Sequence, residues 1–156
     1  MTRIRPYDPE RDDLAEIVAL VHRAFGEYRG KLKPESGALS EDVQSLASRL
    51  EKNRLFLAEE EGRLRGAVFA AGKGDAVYLD RLSVDPGARG QGVGRSLIDA
   101  VIAHAREIGA ERVTLGVRLA LTQNIAYFQR QGFVETGRQA HAGYDAPTSM
   151  DMERRL

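Results

Sequence analysis

The chain has 156 residues and a mass of 17.2 kDa, room for one ordinary domain but not for two full ones. Hydrophobic residues make up 42% and charged residues 29%, a globular balance that argues against wholesale disorder. Lys+Arg and Asp+Glu each number 23, so the formal net charge is zero, which argues against nucleic-acid binding by bulk phosphate neutralisation.

In chain order, Thr2–Tyr7 reads as a short strand. Asp8-Pro9 then reads as a helix start, with Asp8 as cap and Pro9 at the first helical position. Leu14, Ile17, Val18, Val21 and Phe25 give that helix one apolar face at spacings of three and four. Gly26–Leu39, with Gly26, Gly30, Pro34 and Gly37, reads as a loop, and Ser40 as the cap of a second helix with the stripe Val43, Leu46, Ala47 and Leu50. Leu55–Glu60 and Leu64–Ala71 are strand-like runs around a Glu61-Gly62-Arg63 hairpin signal, and Ala76–Val84 is a third such run. A glycine-rich stretch leads into a helix with an apolar stripe from Val93 to Ile108, stopped at Gly109. Arg112–Val117 reads as a strand, Gln123–Gln131 as a short helix ended by Gly132, and Phe133–Arg138 and Ser149–Arg154 as closing strands. The resulting order β-α-α-β-β-β-α-β-α-β-β predicts a single α/β domain, a mixed sheet with helices on its faces.

Absences narrow the chemistry. Cysteine is missing, so disulfides, thiolate nucleophiles and Cys-ligated zinc are excluded. His22, His104 and His141 lie far apart and show no metal-type spacing, so no metal is expected. Apolar runs are only a few residues long, which predicts no membrane span, and the first residues carry no apolar signal core. The expectation is a soluble cytoplasmic protein, either a small-molecule enzyme or a binding module.

The informative stretch is Leu82–Arg95, which runs from a strand through a glycine-rich turn into a helix N-terminus. The first amides of a helix lack internal partners and the macrodipole adds partial positive charge there, so such an end suits a phosphate or pyrophosphate. Gly90, Gly92 and Gly94 remove side chains that would hold a phosphate off the backbone, and Arg89 and Arg95 flank the turn. The spacing fails the dinucleotide fingerprint, since the sixth position is Arg95 counted from Gly90 and Leu97 counted from Gly92. It also fails the P-loop, since no Gly-Lys-Ser/Thr occurs. What remains is Arg89-x-x-Gly92-x-Gly94 after Val84-Asp85-Pro86.

This segment resembles the acyl-CoA-binding motif of the GCN5-related N-acetyltransferases (GNAT), with the pattern [Q/R]-x-x-G-x-[G/A]. Leu79–Val84 resembles the strand before the motif, Gly132-Phe133 the Gly-Phe after the later short helix, and the element order matches throughout. The resemblance implies a splayed central sheet with acetyl-CoA as co-substrate in the gap. Leu82, Ser83 and Val84 would pair with its pantetheine arm through their main chain. Amides from Arg89 to Arg95, including Gly90, Gln91, Gly92, Val93 and Gly94, would hold the pyrophosphate. The Val84 amide would face the thioester oxygen and stabilise the developing oxyanion.

The same resemblance proposes catalytic roles. Asp80 stands where relatives often carry an acidic residue, and plain alternation puts it on the sheet face of Val84. It is either the base or an ion-pair partner of Arg81 or another arginine. Relatives often place a proton-donating tyrosine five residues before the Phe of Gly-Phe, but here that position is Phe128, counted with the cofactor contacts. Tyr127 is adjacent, about 100° away on a helix, and either donates the proton after a shift of the helix or packs. Asn124 is either a contact to the cofactor arm or part of a helix cap.

Acceptor specificity in the resembled family comes from the first two helices, their connection and the C-terminal strands. Glu27 and Tyr28 can bind an amine through charge and cation–π contact, and Tyr144 adds an aromatic to the tail. His141, with an ordinary pKa of roughly 6.5, is either a base or a surface residue. The reading is an acetyl-CoA-dependent N-acetyltransferase acting on a primary amine of a small polar molecule or peptide. It expects no nucleic-acid or membrane partner, and a homodimer is compatible with it. The alternative is a non-catalytic acyl-CoA-binding sensor.

Overall fold

The computed structural model describes residues 2–156. The chain runs β1 (Arg3–Pro6), α1 (Leu14–Phe25), α2 (Val43–Leu50), β2 (Asn53–Glu60), β3 (Arg63–Lys73), β4 (Ala76–Val84), α3 (Val93–Glu107), β5 (Arg112–Arg118), α4 (Thr122–Arg130), β6 (Val134–Gln139) and β7 (Ser149–Arg155). One seven-stranded sheet forms in the order β1-β2-β3-β4-β5-β7-β6, and only the β4–β5 contact is parallel. The order of elements is the expected one, and the fold is mixed α/β.

Two helix starts differ from the sequence expectation. The first helix is capped by Asp13, whose side chain accepts the Ala15 amide, and not by Asp8. Asp8 instead closes a turn: its Oδ1 accepts the Glu10 amide and its carbonyl accepts those of Arg11 and Asp12. Arg11-Asp12-Asp13 offers no apolar residue to bury, so helix forms only where the apolar stripe begins at Leu14. The second helix is capped by Asp42, which shares a capping box with Ser45, while Ser40 ends a 3₁₀ turn at Gly37–Ser40.

Helix α3 covers one face of the sheet. Val93, Leu97, Ile98, Val101 and Ile102 pack on Val77 and Leu79 of β4, Val113, Leu115 and Val117 of β5, and Met150 and Met152 of β7. Helices α1 and α2 cover part of the other face, where Ile17, Leu20 and Leu46 meet Leu55 and Leu57 of β2 and Ala67 and Phe69 of β3. That second core takes no residue from β4, β5 or β7; α1 reaches as far as β4, and the same face of β5 and β7 lies beyond it. Among the described residues no helix is long and apolar enough to cross a membrane.

The central contact is brief. Strands β4 and β5 pair only at Ala76–Arg112, Val77–Val113 and Tyr78–Thr114. Beyond Tyr78, β4 stays bound to β3 and β5 stays bound to β7, so the two edges facing each other are left without a strand between them. Pairing of β3 with β4 also slips: Phe69 opposes Asp80 and Ala67 opposes Ser83, one extra residue on the β4 side. Arg81 sits in this bulge at a φ of 52°, a left-handed conformation uncommon for a residue with a Cβ.

The bulge corrects the expectation that Asp80 and Val84 share a face. An extra residue inverts the alternation, so Leu79 before the bulge and Leu82 and Val84 after it all pack toward α3. Asp80 points to the other face, toward α2.

Close helix–sheet contact depends on Gly66 of β3. A Cβ there would lie 2.9 Å from both Leu97 Cδ1 and Val93 Cγ1 and 3.1 Å from the Ser83 carbonyl oxygen. Leu97 and Val93 are buried and have little room to yield. Gly66→Ala is therefore expected to lower stability by about 1–3 kcal/mol in urea unfolding. Gly72→Ala on the same strand, with nothing within 4 Å of its new Cβ, is the control and stays close to wild type.

Candidate active site

The gap between β4 and β5 opens into a cleft of about 1360 Å³ that reaches both sheet faces. Its wall on the α3 side begins with the end of β4. Asp85 donates to the Arg65 carbonyl at 2.8 Å, which makes Asp85–Arg65 a hydrogen-bonded pair of the antiparallel ladder. By alternation the adjacent Val84–Gly66 pair is not hydrogen-bonded, so the Val84 N–H points away from β3 and into the gap.

The chain then turns through Pro86–Ala88 and starts α3 at Val93. Gly90 and Gly92 take φ values of 77° and 82°, which a glycine adopts at no steric cost. A Cβ on either would meet nothing within 4 Å, so their side faces open space. The first helical hydrogen bond runs from the Ser96 amide to the Gly92 carbonyl, which leaves the amides of Val93, Gly94 and Arg95 without helical acceptors. No side chain caps this end, and no acidic residue lies in the first turn. The turn is thus a cluster of open N–H donors at the positive end of a 15-residue helix, a site suited to an anion.

Most of the expected cofactor contacts are gathered here. Leu82, Val84, Arg89, Gly90, Gly92, Val93, Gly94, Arg95, Asn124, Tyr127 and Phe128 line the cleft, whereas the side chains of Ser83 and Gln91 do not. Ser83 is buried on the opposite side of β4, its hydroxyl donating to the Arg81 carbonyl at 3.0 Å. The Gln91 amide reaches back to the Gly87 carbonyl. Phe128 is buried, edge-on to Phe133. Tyr127 is edge-on to Phe128, and its hydroxyl lies 2.7 Å from where a Cβ of Gly94 would be. Any larger residue at Gly94 would displace that hydroxyl from the first turn of α3. Burial pushes the Tyr127 hydroxyl above its usual pKa, so it keeps its proton.

The wall on the other face carries charge. Asp80 Oδ2 lies 2.5 Å from Arg49 Nη1, and its Oδ1 accepts the Arg81 amide at 3.0 Å. Arg49 and Arg81 both donate through Nε to Glu41 Oε2, at 2.7 and 3.0 Å. Burial pushes the Glu41 carboxyl up, but the Ser45 hydroxyl and the two guanidinium groups outweigh it and leave Glu41 below the usual carboxylate range. Arg49 also lies over the Phe69 ring. Asp80 is therefore an ion-paired carboxylate at the rim of the cleft, tied to α2 and to the bulge.

The connection between α1 and α2 arches over the cleft and is fastened at its far side. Glu27 pairs with Arg89 at 2.9 Å, and Arg89 also donates to the Ala24 carbonyl. Asn124 donates to the Tyr28 hydroxyl at 3.2 Å and caps no helix. Arg118 donates to the Glu35 carbonyl at 3.2 Å. Burial raises the Tyr28 hydroxyl pKa. His141 lines the same side, its Nδ1 in contact with the Thr148 hydroxyl. Burial and the nearby Arg118 charge hold His141 below its usual pKa, neutral at pH 7. Tyr144 is 40% exposed and is not part of the cleft wall.

Four residues of the site had no motif to announce them. Tyr78 stands at the last paired position before the gap, and Arg49, Glu41 and Arg118 converge from α2, its cap region and β5. Of these only Tyr78 and Arg118 had a sequence signal, alternation with apolar residues that turns them to the other face. Among the described residues no group of His, Asp and Glu side chains could hold a metal ion.

Known proteins share both the sequence and the shape. The model of the acetyltransferase (GNAT) family matches residues 14–133. A mycothiol acetyltransferase of Propionibacterium freudenreichii is 35% identical over 78% of this chain, and the chain covers 40% of that longer protein. An IAA acetyltransferase of Azospirillum brasilense is 29% identical over 95% of this chain and 94% of its own length. The chain spans less than half the length of the mycothiol acetyltransferases it matches first. Among solved structures, the PaiA N-acetyltransferase of Thermoplasma acidophilum in complex with coenzyme A superposes with a TM-score of 0.82, at 16% identity, covering 100% of this chain and 99% of that one. The ribosomal-protein-S18-alanine N-acetyltransferase of Escherichia coli gives 0.79 at 21% identity, covering 99% and 94%. Those two likenesses concern the fold, and the family match rests on sequence: this chain belongs to the GNAT acetyltransferase family.

Proposed function

We propose that the chain is an acetyl-CoA-dependent N-acetyltransferase that passes an acetyl group directly to the primary amine of a small polar molecule or peptide. The observation that carries this reading is the continuous run from the unpaired edge of β4 to the uncapped start of α3. An extended amide-bearing arm suits the first, and a pyrophosphate suits the second. Acetyl-CoA, when bound, supplies the acetyl group as a thioester. The sequence has no cysteine to receive it covalently, which supports direct transfer.

The residues divide the remaining tasks. Main-chain groups of Leu82, Ser83 and Val84 hold the arm, the amides of residues 90–95 hold the pyrophosphate, and Asn124 and Phe128 close the pocket beside it. The Val84 N–H, aimed into the gap, stabilises negative charge on the thioester oxygen. Asp80, ion-paired with Arg49, draws in the ammonium and takes its proton, with neutral His141 as the second acceptor on that side. Tyr127, protonated and half-buried, is the proton donor for the leaving thiolate. Glu27 and Tyr28 border the amine's entry, with Tyr144 outside them.

One observation favours a second reading, a non-catalytic acyl-CoA sensor. Phe128 occupies the place of the usual acid, and the neighbouring Tyr127 hydroxyl is held against Gly94. Turnover separates the two.

Calorimetric titration with acetyl-CoA, CoA and ADP is expected to show binding that needs the pantetheine arm, and a thiol-release assay then reads turnover on an amine library. Gly92→Val, which pushes a side chain into the open space above the helix start, is expected to weaken acetyl-CoA binding at least tenfold while circular dichroism still reports a folded protein. Full binding by that folded variant would overturn the site.

Proton removal gives a second test. Asp80→Asn is expected to lower kcat by about 10²–10⁴ at all pH values. The neutral base form of His141 is present above its depressed pKa and is lost as the pH falls through it. kcat/KM is therefore expected to hold level through neutral pH and to fall only below the ordinary histidine range. His141→Gln abolishes that limb if His141 accepts a proton, and an unchanged limb removes it from the mechanism.

A further inference from the structure

Arg118 differs from Arg49, Arg81 and Arg89, which each hold a carboxylate beside the cleft. Leu115 and Val117 of β5 are buried against α3, so alternation places Gly116 and Arg118 on the opposite face, where the α1–α2 core does not reach β5. Tyr78 lies on that face too, its hydroxyl 3.3 Å from where a Cβ of Gly116 would be, and Asp80 follows it along β4. Arg49 and Arg81 are each bound to Glu41, and Arg49 to Asp80 as well. Arg89 is bound to Glu27. Arg118 is partly buried and pairs with no carboxylate among the described residues; its one hydrogen bond goes to the Glu35 carbonyl, from Nη2. The Glu35 carboxylate itself takes the Gly30 amide at 2.7 Å.

Burial disfavours the charged form of this guanidinium. A partly desolvated cation with open donors, aimed into a cleft, is a place for an anion. The same face carries Asp80 beside the gap, so it presents a carboxylate for an ammonium and a guanidinium for a second, oppositely charged group. A guanidinium has a planar fork of donors, and the planar ligand that matches it is a carboxylate.

We propose that Arg118 anchors a carboxylate on the acceptor, so that the preferred acceptors are amino acids and related small zwitterions whose amine is then acetylated. This rests on the acetyltransferase reading and deepens it by naming the acceptor class. Arg118 discriminates by binding, because an acceptor without a carboxylate leaves the guanidinium with only its contact to Glu35. A charge-assisted bidentate pair of this kind is worth about 10- to 100-fold in specificity.

The test compares L-phenylalanine, L-histidine and L-lysine with phenethylamine, histamine and cadaverine, their decarboxylated counterparts, by thiol release with acetyl-CoA. At least one amino acid is expected to exceed its counterpart by tenfold or more in kcat/KM. Arg118→Met is expected to erase that ratio through KM of the amino acid, with acetyl-CoA affinity within about twofold of wild type, and Arg118→Lys to restore part of it. A purely structural role, fastening Glu35, would depress both members of each pair alike and leave the ratio unmoved, which overturns the anchor. So does a wild-type enzyme that uses the decarboxylated amines equally well. If acetyl-CoA binds and no amine is turned over, the acetyltransferase reading falls separately. The anchor is then decided by calorimetric titration of the same pairs into CoA-loaded wild type and Arg118→Met: carboxylate-dependent binding lost in the variant sustains it, and its absence in wild type overturns it.

Discussion

Strands β4 and β5 meet at three paired positions and then part, each already committed to a neighbour on its other side. Exposed main-chain donors and acceptors inside a protein are costly unless they are paired or hydrated, so a sheet opened this way needs a reason to persist. The reason is visible on both flanks: β3 holds β4 up to Val84, β7 holds β5 along its whole length, and α3 lies beneath both. The cleft, the free Val84 N–H and the approach to the start of α3 all follow from that parting. A β5 paired with β4 to its end would leave no gap, and the glycine turn would then lead nowhere.

The bulge at Arg81 sets what each side of the gap can do. One extra residue turns Leu82 and Val84 toward the α3 core while Asp80 points to the opposite face. The strained backbone of Arg81 is held in place by its side chain, which reaches Glu41. Glu41 in turn grips Arg49, and Arg49 grips Asp80, so α2, its cap region and the bulge share one charge network. Breaking a partly buried network of this kind leaves unpaired charge behind, which costs more than the intact pairs contribute. Its value here is geometric: it pins a carboxylate beside the gap at a fixed angle.

Much of this was legible in the residues, for physical reasons that differ from element to element. The α3 stripe from Val93 and the glycines before it are local signals, and both the helix and its open N-terminus could be read from them. The succession of strands along the chain follows from apolar periodicity, whereas their order in the sheet does not. Asp8-Pro9 has the local chemistry of a cap, and only the lack of apolar residues before Leu14 moves the start of α1 to Asp13. The face of Asp80 is hidden from the sequence because a bulge at an arginine gives no local warning; glycine or asparagine would mark a left-handed position, and Arg81 does not. The partners of Asp80 and Arg118 are fixed by tertiary distance between α2, the arching loop and β5, which no spacing in the chain encodes.

The arching connection from Gly26 to Ser40 is where the two halves of the site meet. Its side chains and carbonyls are held by Arg89 from the glycine turn, Asn124 from α4 and Arg118 from β5. Two of these, Arg89 and Asn124, belong to the cofactor side under the proposed function. Arg89 would therefore stand between two anions, the Glu27 carboxylate it holds now and a pyrophosphate at the adjacent amides. The Glu27–Arg89 pair is about two-fifths exposed on both partners, so water screens it and little free energy opposes an exchange of one anion for the other. Asn124 has the same double position under that function, since the amide that donates to Tyr28 would also lie beside the pantetheine arm. The connection is in this way fastened by the groups that would hold the acyl donor, so that under the proposed function filling one half of the cleft would alter what holds the other.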